Sequence, residues 1–172
     1  MADPEPVTEA PPSYRGFLGA YRYAFRRSAS VWFRLYVAVS AILVAFVTVL
    51  VALAMVRWIA RPAGLFGDRG LLAVVGILLV LPIATPVLLV ARRHRRTGSP
   101  QPAGADRLVG LAGFALVFGI YLGLVIVAPA EGTRGSLVAA LDALPAVAGV
   151  VPPLVGVGLL VLAARHTRPD AV

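Results

Sequence analysis

The 172-residue chain is 59% hydrophobic and only 14% charged, with a mean hydropathy of +0.87. A soluble domain of this size has no interior large enough for that much apolar surface, because ordinary globular chains are only about half apolar. The net charge of +8 comes wholly from arginines that flank the apolar runs, so membrane topology explains the basicity and no nucleic-acid partner is expected; the lack of cysteine excludes disulfides, thiolate metal sites and a thiol nucleophile.

In chain order, residues 1–12 are acidic and proline-rich and are expected to be a disordered tail. They lack the basic start and short apolar run of a signal peptide. Residues 13–34 read differently. Ser13 is a candidate N-cap, and Tyr14, Phe17, Leu18, Tyr21 and Phe25 recur at helical spacing. Arg15, Arg22 and Arg26 form a neighbouring stripe with Arg27 beside it. An aromatic face next to an arginine face predicts an amphipathic helix at the headgroup boundary, with these four arginines touching lipid headgroups. The competing reading is a helix that packs under the bundle. Trp32 and Tyr36 then suit an aromatic belt at the start of the first span.

Four apolar spans follow within 35–168: about Leu35 to Val56, Leu71 to Ala91, Leu108 to Ala128, and Leu144 to Ala164. Each is close to the roughly 20 residues that cross about 30 Å of hydrocarbon as a helix. None carries an interior charge, and without a strand alternation only helices satisfy the backbone in lipid. The expected fold class is therefore all-α, a four-helix transmembrane bundle with an N-terminal amphipathic interfacial helix and a short tail at 169–172.

Arginine counts orient it. Five lie before the first span, five lie around the loop from Arg92 to Arg107, and two follow the last span; the opposite side has Arg57, Arg61, Arg69 and Arg134. The positive-inside rule places both termini and the Arg92–Arg107 loop in the cytoplasm of a cell-membrane protein.

Several motifs sit on this frame. Ala91-Arg92-Arg93-His94-Arg95-Arg96 resembles Ala163-Ala164-Arg165-His166-Thr167-Arg168, and each follows prolines in its span, which suggests two related hairpins. The two histidines read as boundary residues; pH sensing or metal binding is the sharper alternative, disfavoured by the neighbouring arginines. Pro82 and Pro86 in the second span and Pro152 and Pro153 in the fourth predict helix kinks. A transport site at such kinks needs polar groups, and Ser40, Thr48, Thr85 and Tyr121 are the only interior candidates. Gly119 and Gly123 form a small-xxx-small pair for close helix packing, either inside the bundle or between copies. No catalytic, metal or cofactor motif is present, and Asp68, Asp106, Glu131 and Asp142 read as loop or boundary acids.

The segments Tyr14-Arg15-Gly16-Phe17-Leu18-Gly19-Ala20-Tyr21, Phe33-Arg34-Leu35-Tyr36 and Pro86 through Arg96 are similar to uncharacterised haloarchaeal multi-pass membrane proteins, a domain of unknown function. Tyr121-Leu122-Gly123-Leu124-Val125 and Val151-Pro152-Pro153-Leu154-Val155 extend the resemblance along most of the chain. It implies an archaeal cell membrane and no particular activity. The expected role is a non-enzymatic structural or accessory component of a membrane assembly. Its partners would be the lipid bilayer and either itself or another membrane protein. The alternative is a small transporter or channel subunit acting as an oligomer.

Overall fold

The computed structural model describes residues 16–59, 66–97, 102–127 and 144–167. The tails at 1–12 and 169–172, and Arg15, lie outside the described residues. All elements among those described are helical: α1 (Gly16–Arg27), α2 (Val31–Ile59), α3 (Phe66–Thr97), α4 (Ala103–Val127), a 3₁₀ turn (Ala146–Val150) and α5 (Val151–His166). Four segments are long and apolar enough to cross a membrane: Val31–Val56, Gly76–Thr97, Ala103–Val127 and Ala146–His166.

The helix expected over 13–34 is two elements. Ser28 and Ser30 break it, because a serine hydroxyl competes with the backbone for hydrogen bonds. The Ser30 N–H donates to Ser28 Oγ at 3.2 Å, and Ser30 Oγ accepts the Phe33 N–H at 3.4 Å. The second contact is the N-cap geometry that starts α2. α1 packs on α3 and α2. It buries Ala20, Tyr21 and Ala24 while leaving Phe17, Leu18 and Phe25 at the surface. The aromatic face is therefore divided, and the most deeply buried residues of α1 are alanines.

α4 is the hub, packed against α2, α3 and α5. Its longest interface is with α5, and glycine sets that distance. A Cβ on Gly119 would stand 2.5 Å from the Pro152 carbonyl oxygen, and one on Gly123 would run into the Gly149 carbonyl oxygen. Gly156 of α5 answers from the other side, 2.5 Å from Leu116 Cα by the same construction. Gly119 and Gly123 thus serve packing within one chain.

The prolines divide into two kinds. Pro82 and Pro86 lie inside α3, where each removes a backbone donor. Pro152 and Pro153 stand in the first turn of α5, immediately after the 3₁₀ turn. The expectation of mid-helix kinks at these two is replaced by a helix start. There the missing N–H is one of the donors that lack an intrahelical partner anyway.

Phe33 and Tyr36 of α2, Val87 and Val90 of α3, Val109, Ala112 and Leu116 of α4, and Leu160 of α5 share one core with the buried residues of α1. The core gathers the first turns of α2 and α4 with the last turns of α3 and α5, as antiparallel neighbours require. That end is the arginine-rich end. Between Ala41 and Val56, α2 buries no residue.

Candidate functional site at the arginine-rich rim

His94 and Asp106 meet at this end. His94 lies in the last turn of α3 and Asp106 in the first turn of α4. His94 Nε2 is 3.0 Å from Asp106 Oδ2, and the two residues are 4% and 0% exposed. With Asp106 ionised, the bond runs from Nε2–H to the carboxylate. The other oxygen, Asp106 Oδ1, is buried without a hydrogen-bond partner among the described residues.

Among the described residues, no three His, Asp or Glu side chains come together. The pair is a two-group unit that clamps one helix end to another. His166, its counterpart in the repeated motif, is exposed. The two rims therefore differ in environment despite their similar sequences.

From sequence alone both residues read as boundary residues, and the pair is missed. Asp106 is the one acid between the second and third spans, in a segment with five arginines and one histidine. Although Asp106 reads as a boundary acid, that composition is a signal for a charge partner. It did not say that the partner would be His94, because the arginines outnumber it and reach water more easily.

A second polar contact lies deeper. Tyr36 is fully buried rather than part of an aromatic belt, and its hydroxyl donates to the Ile83 carbonyl at 2.6 Å. Pro82 and Pro86 flank that carbonyl on α3. The ring fills the space left by Gly113 and meets Phe114 edge-on at 5.2 Å. Nearby, the Tyr21 hydroxyl is buried beside Ser40, and no well-formed hydrogen bond joins them. Burial raises its pKa above the ordinary tyrosine value, and the Ser40 hydroxyl offsets this in smaller measure.

The remaining expected polar residues are tied to their own helices or face outward. Ser40 donates to Val37 O, Thr48 to Val44 O and Thr85 to Leu81 O, at 3.1, 2.7 and 2.7 Å. Tyr121 is on the outer surface of α4. Arg22, Arg26 and Arg27 are exposed on α1, with the Arg27 guanidinium 5.9 Å from the Tyr23 ring centre.

A family model described as Domain of unknown function (DUF8056) matches residues 1–168. No curated protein and no solved structure matches the chain.

Proposed function

We propose that this chain, which belongs to the DUF8056 family, is a non-enzymatic component of a membrane assembly. It lies in an archaeal cell membrane with both termini and the arginine-rich rim in the cytoplasm. α1 rests at the headgroup boundary, and Arg22, Arg26 and Arg27 face anionic lipid there. Twelve of the sixteen arginines on one side support that orientation.

The observation that carries the assembly role is the state of α2. Only 11% of its most apolar window is buried by the rest of the chain, against 44% for α4. Ile42, Phe46, Leu50 and Leu53 present an apolar surface that the bundle leaves uncovered. Small-residue packing elsewhere supports a structural role, because it gives tight helix contacts without a polar path. The hydroxyls of Ser40, Thr48 and Thr85 are engaged within their own helices, so the transporter alternative lacks free groups to bind a polar solute.

Photo-crosslinking from Phe46 and Leu53 in intact membranes, followed by mild-detergent purification, tests the proposal. One discrete protein adduct, or a defined oligomer of this chain, is the expected result. A chain that stays monomeric and cross-links only to lipid from both positions defeats the assembly role.

A further inference from the structure

We infer that the chain holds one anionic glycerophospholipid in a continuous head-and-tail site between α3 and α5. The inference rests on the membrane placement above and not on the assembly role. Two adjoining hollows define the site. The first is a cleft of about 570 Å³ at the rim, walled by Arg92, Arg93 and Arg96 with Thr97 and Thr167, with no acid among the described residues of its wall. The second is a groove of about 540 Å³ between α3 and α5, floored by Leu116 of α4 and lined by Leu81, Leu89, Leu160 and Val161. Leu89 and Ala164 belong to both. Arg165 stands in the groove lining, which adds a fourth guanidinium to the region.

Three features select the occupant. The first is charge. A cleft with three arginines and no carboxylate among the described residues of its wall attracts an anion, and basic pockets between membrane helices suit lipid phosphates. The second is the state of Arg93, whose Nε and Nη1 are buried with no hydrogen-bond partner among the described residues. Buried guanidinium donors are strongly unfavourable unless something accepts from them, and a phosphate oxygen is a strong acceptor for a guanidinium N–H. The third is length. From Leu78 to Leu89 the groove follows 11 residues of α3, or about 16 Å at 1.5 Å per residue. That is close to one leaflet of a hydrocarbon core about 30 Å thick. A free phosphate would use the cleft alone and leave the groove without an occupant, whereas a phospholipid uses both.

Native mass spectrometry of the full chain in mild detergent tests this, with phosphatidylglycerol, phosphatidylcholine, glycerol 3-phosphate and inorganic phosphate as probes. One phosphatidylglycerol per chain is expected, bound at least tenfold more tightly than phosphatidylcholine. Arg93→Gln and Arg96→Gln should each weaken it about fivefold, from about 1 kcal/mol per basic residue at 1.4 kcal/mol per tenfold. Arg107→Gln, outside the cleft, should leave it unchanged, and Val161→Trp should weaken it by filling the groove. Arg96 is exposed, so its variant reads out even if Arg93→Gln misfolds. Equal binding of the two lipids overturns the proposal, as does indifference of phosphatidylglycerol to Arg96→Gln. Binding of glycerol 3-phosphate or inorganic phosphate as tight as that of the lipid makes the site a free-anion site and also overturns it. None of these outcomes depends on whether the chain has a protein partner.

Discussion

Replacing His94 by leucine should destabilise the protein more than any other single change at the rim. Asp106 is fully buried, and its Oδ1 is already without a partner among the described residues. Without His94 the carboxylate loses its 3.0 Å hydrogen bond, the one it makes among the described residues. Stranding a buried charge in this way costs about 3–5 kcal/mol. Asp106→Leu is the milder change, because an imidazole can remain neutral; a buried group left unsatisfied costs about 1–3 kcal/mol. The double variant His94→Leu/Asp106→Leu removes both polar groups, and apolar replacement of a buried pair is often neutral or stabilising. It should therefore stand within about 1 kcal/mol of the native protein. Thermal unfolding in detergent, followed through Trp32 and Trp58, measures all four species. At roughly 2–4 °C per kcal/mol for a chain of this length, His94→Leu should lower Tm by about 10 °C and the second substitution should restore most of the loss. Single effects that are both small and simply additive would refute the coupling.

Three further outcomes follow from the packing. Gly123→Ala drives a Cβ into the Gly149 carbonyl, which cannot swing aside as a side chain can; a loss of about 1–3 kcal/mol is expected, while Gly158→Ala, which meets nothing within 4 Å, should be neutral or slightly stabilising in the same unfolding assay. Tyr36→Phe keeps the ring against Phe114 and deletes the 2.6 Å bond to Ile83, so a loss of about 0.6–1.5 kcal/mol is expected. Tyr21 gives a pH signature, since burial raises its pKa above the usual value near 10. The folded state then resists tyrosinate more than the unfolded state does. Its contribution is complete below about pH 10 and is lost as pH rises through the raised folded value. Tyr21→Phe should remove that part of the alkaline destabilisation in a pH series of unfolding curves.

The sequence and the structure agree where the signal is collective. Four apolar runs, each without an interior charge, dictate four membrane-length helices because the bilayer offers the backbone no other partners. Gly119 and Gly123 were visible as a close-packing face for the same reason, since spacing alone puts them on one side of a helix. The α4–α5 partnership was not visible, because small residues permit close approach without naming the neighbour. Tyr36 shows the limit most clearly. Its position beside Trp32 fits an interfacial belt, yet the cavity at Gly113 and the carbonyl of Ile83 draw it inward. Those partners lie 77 and 47 residues away in sequence, so local periodicity holds no trace of them. The Ser28–Ser30 break had a local signal, since paired serines before an apolar run are a helix-start motif. The aromatic spacing across residues 13–34 concealed it.

The placement of the core at one end has a mechanical meaning. Val31–Val56 is 26 residues long, about 39 Å at 1.5 Å per residue, while the hydrocarbon core is about 30 Å thick. Such a helix relieves the excess by tilting or by thickening the lipid around it. Because Phe33 and Tyr36 hold the first turns of α2 in the core and no residue between Ala41 and Val56 is buried, the far half of α2 has little burial within the chain to lose on tilting. A change in bilayer thickness would therefore act first on the angle of α2, the candidate span with the smallest buried share.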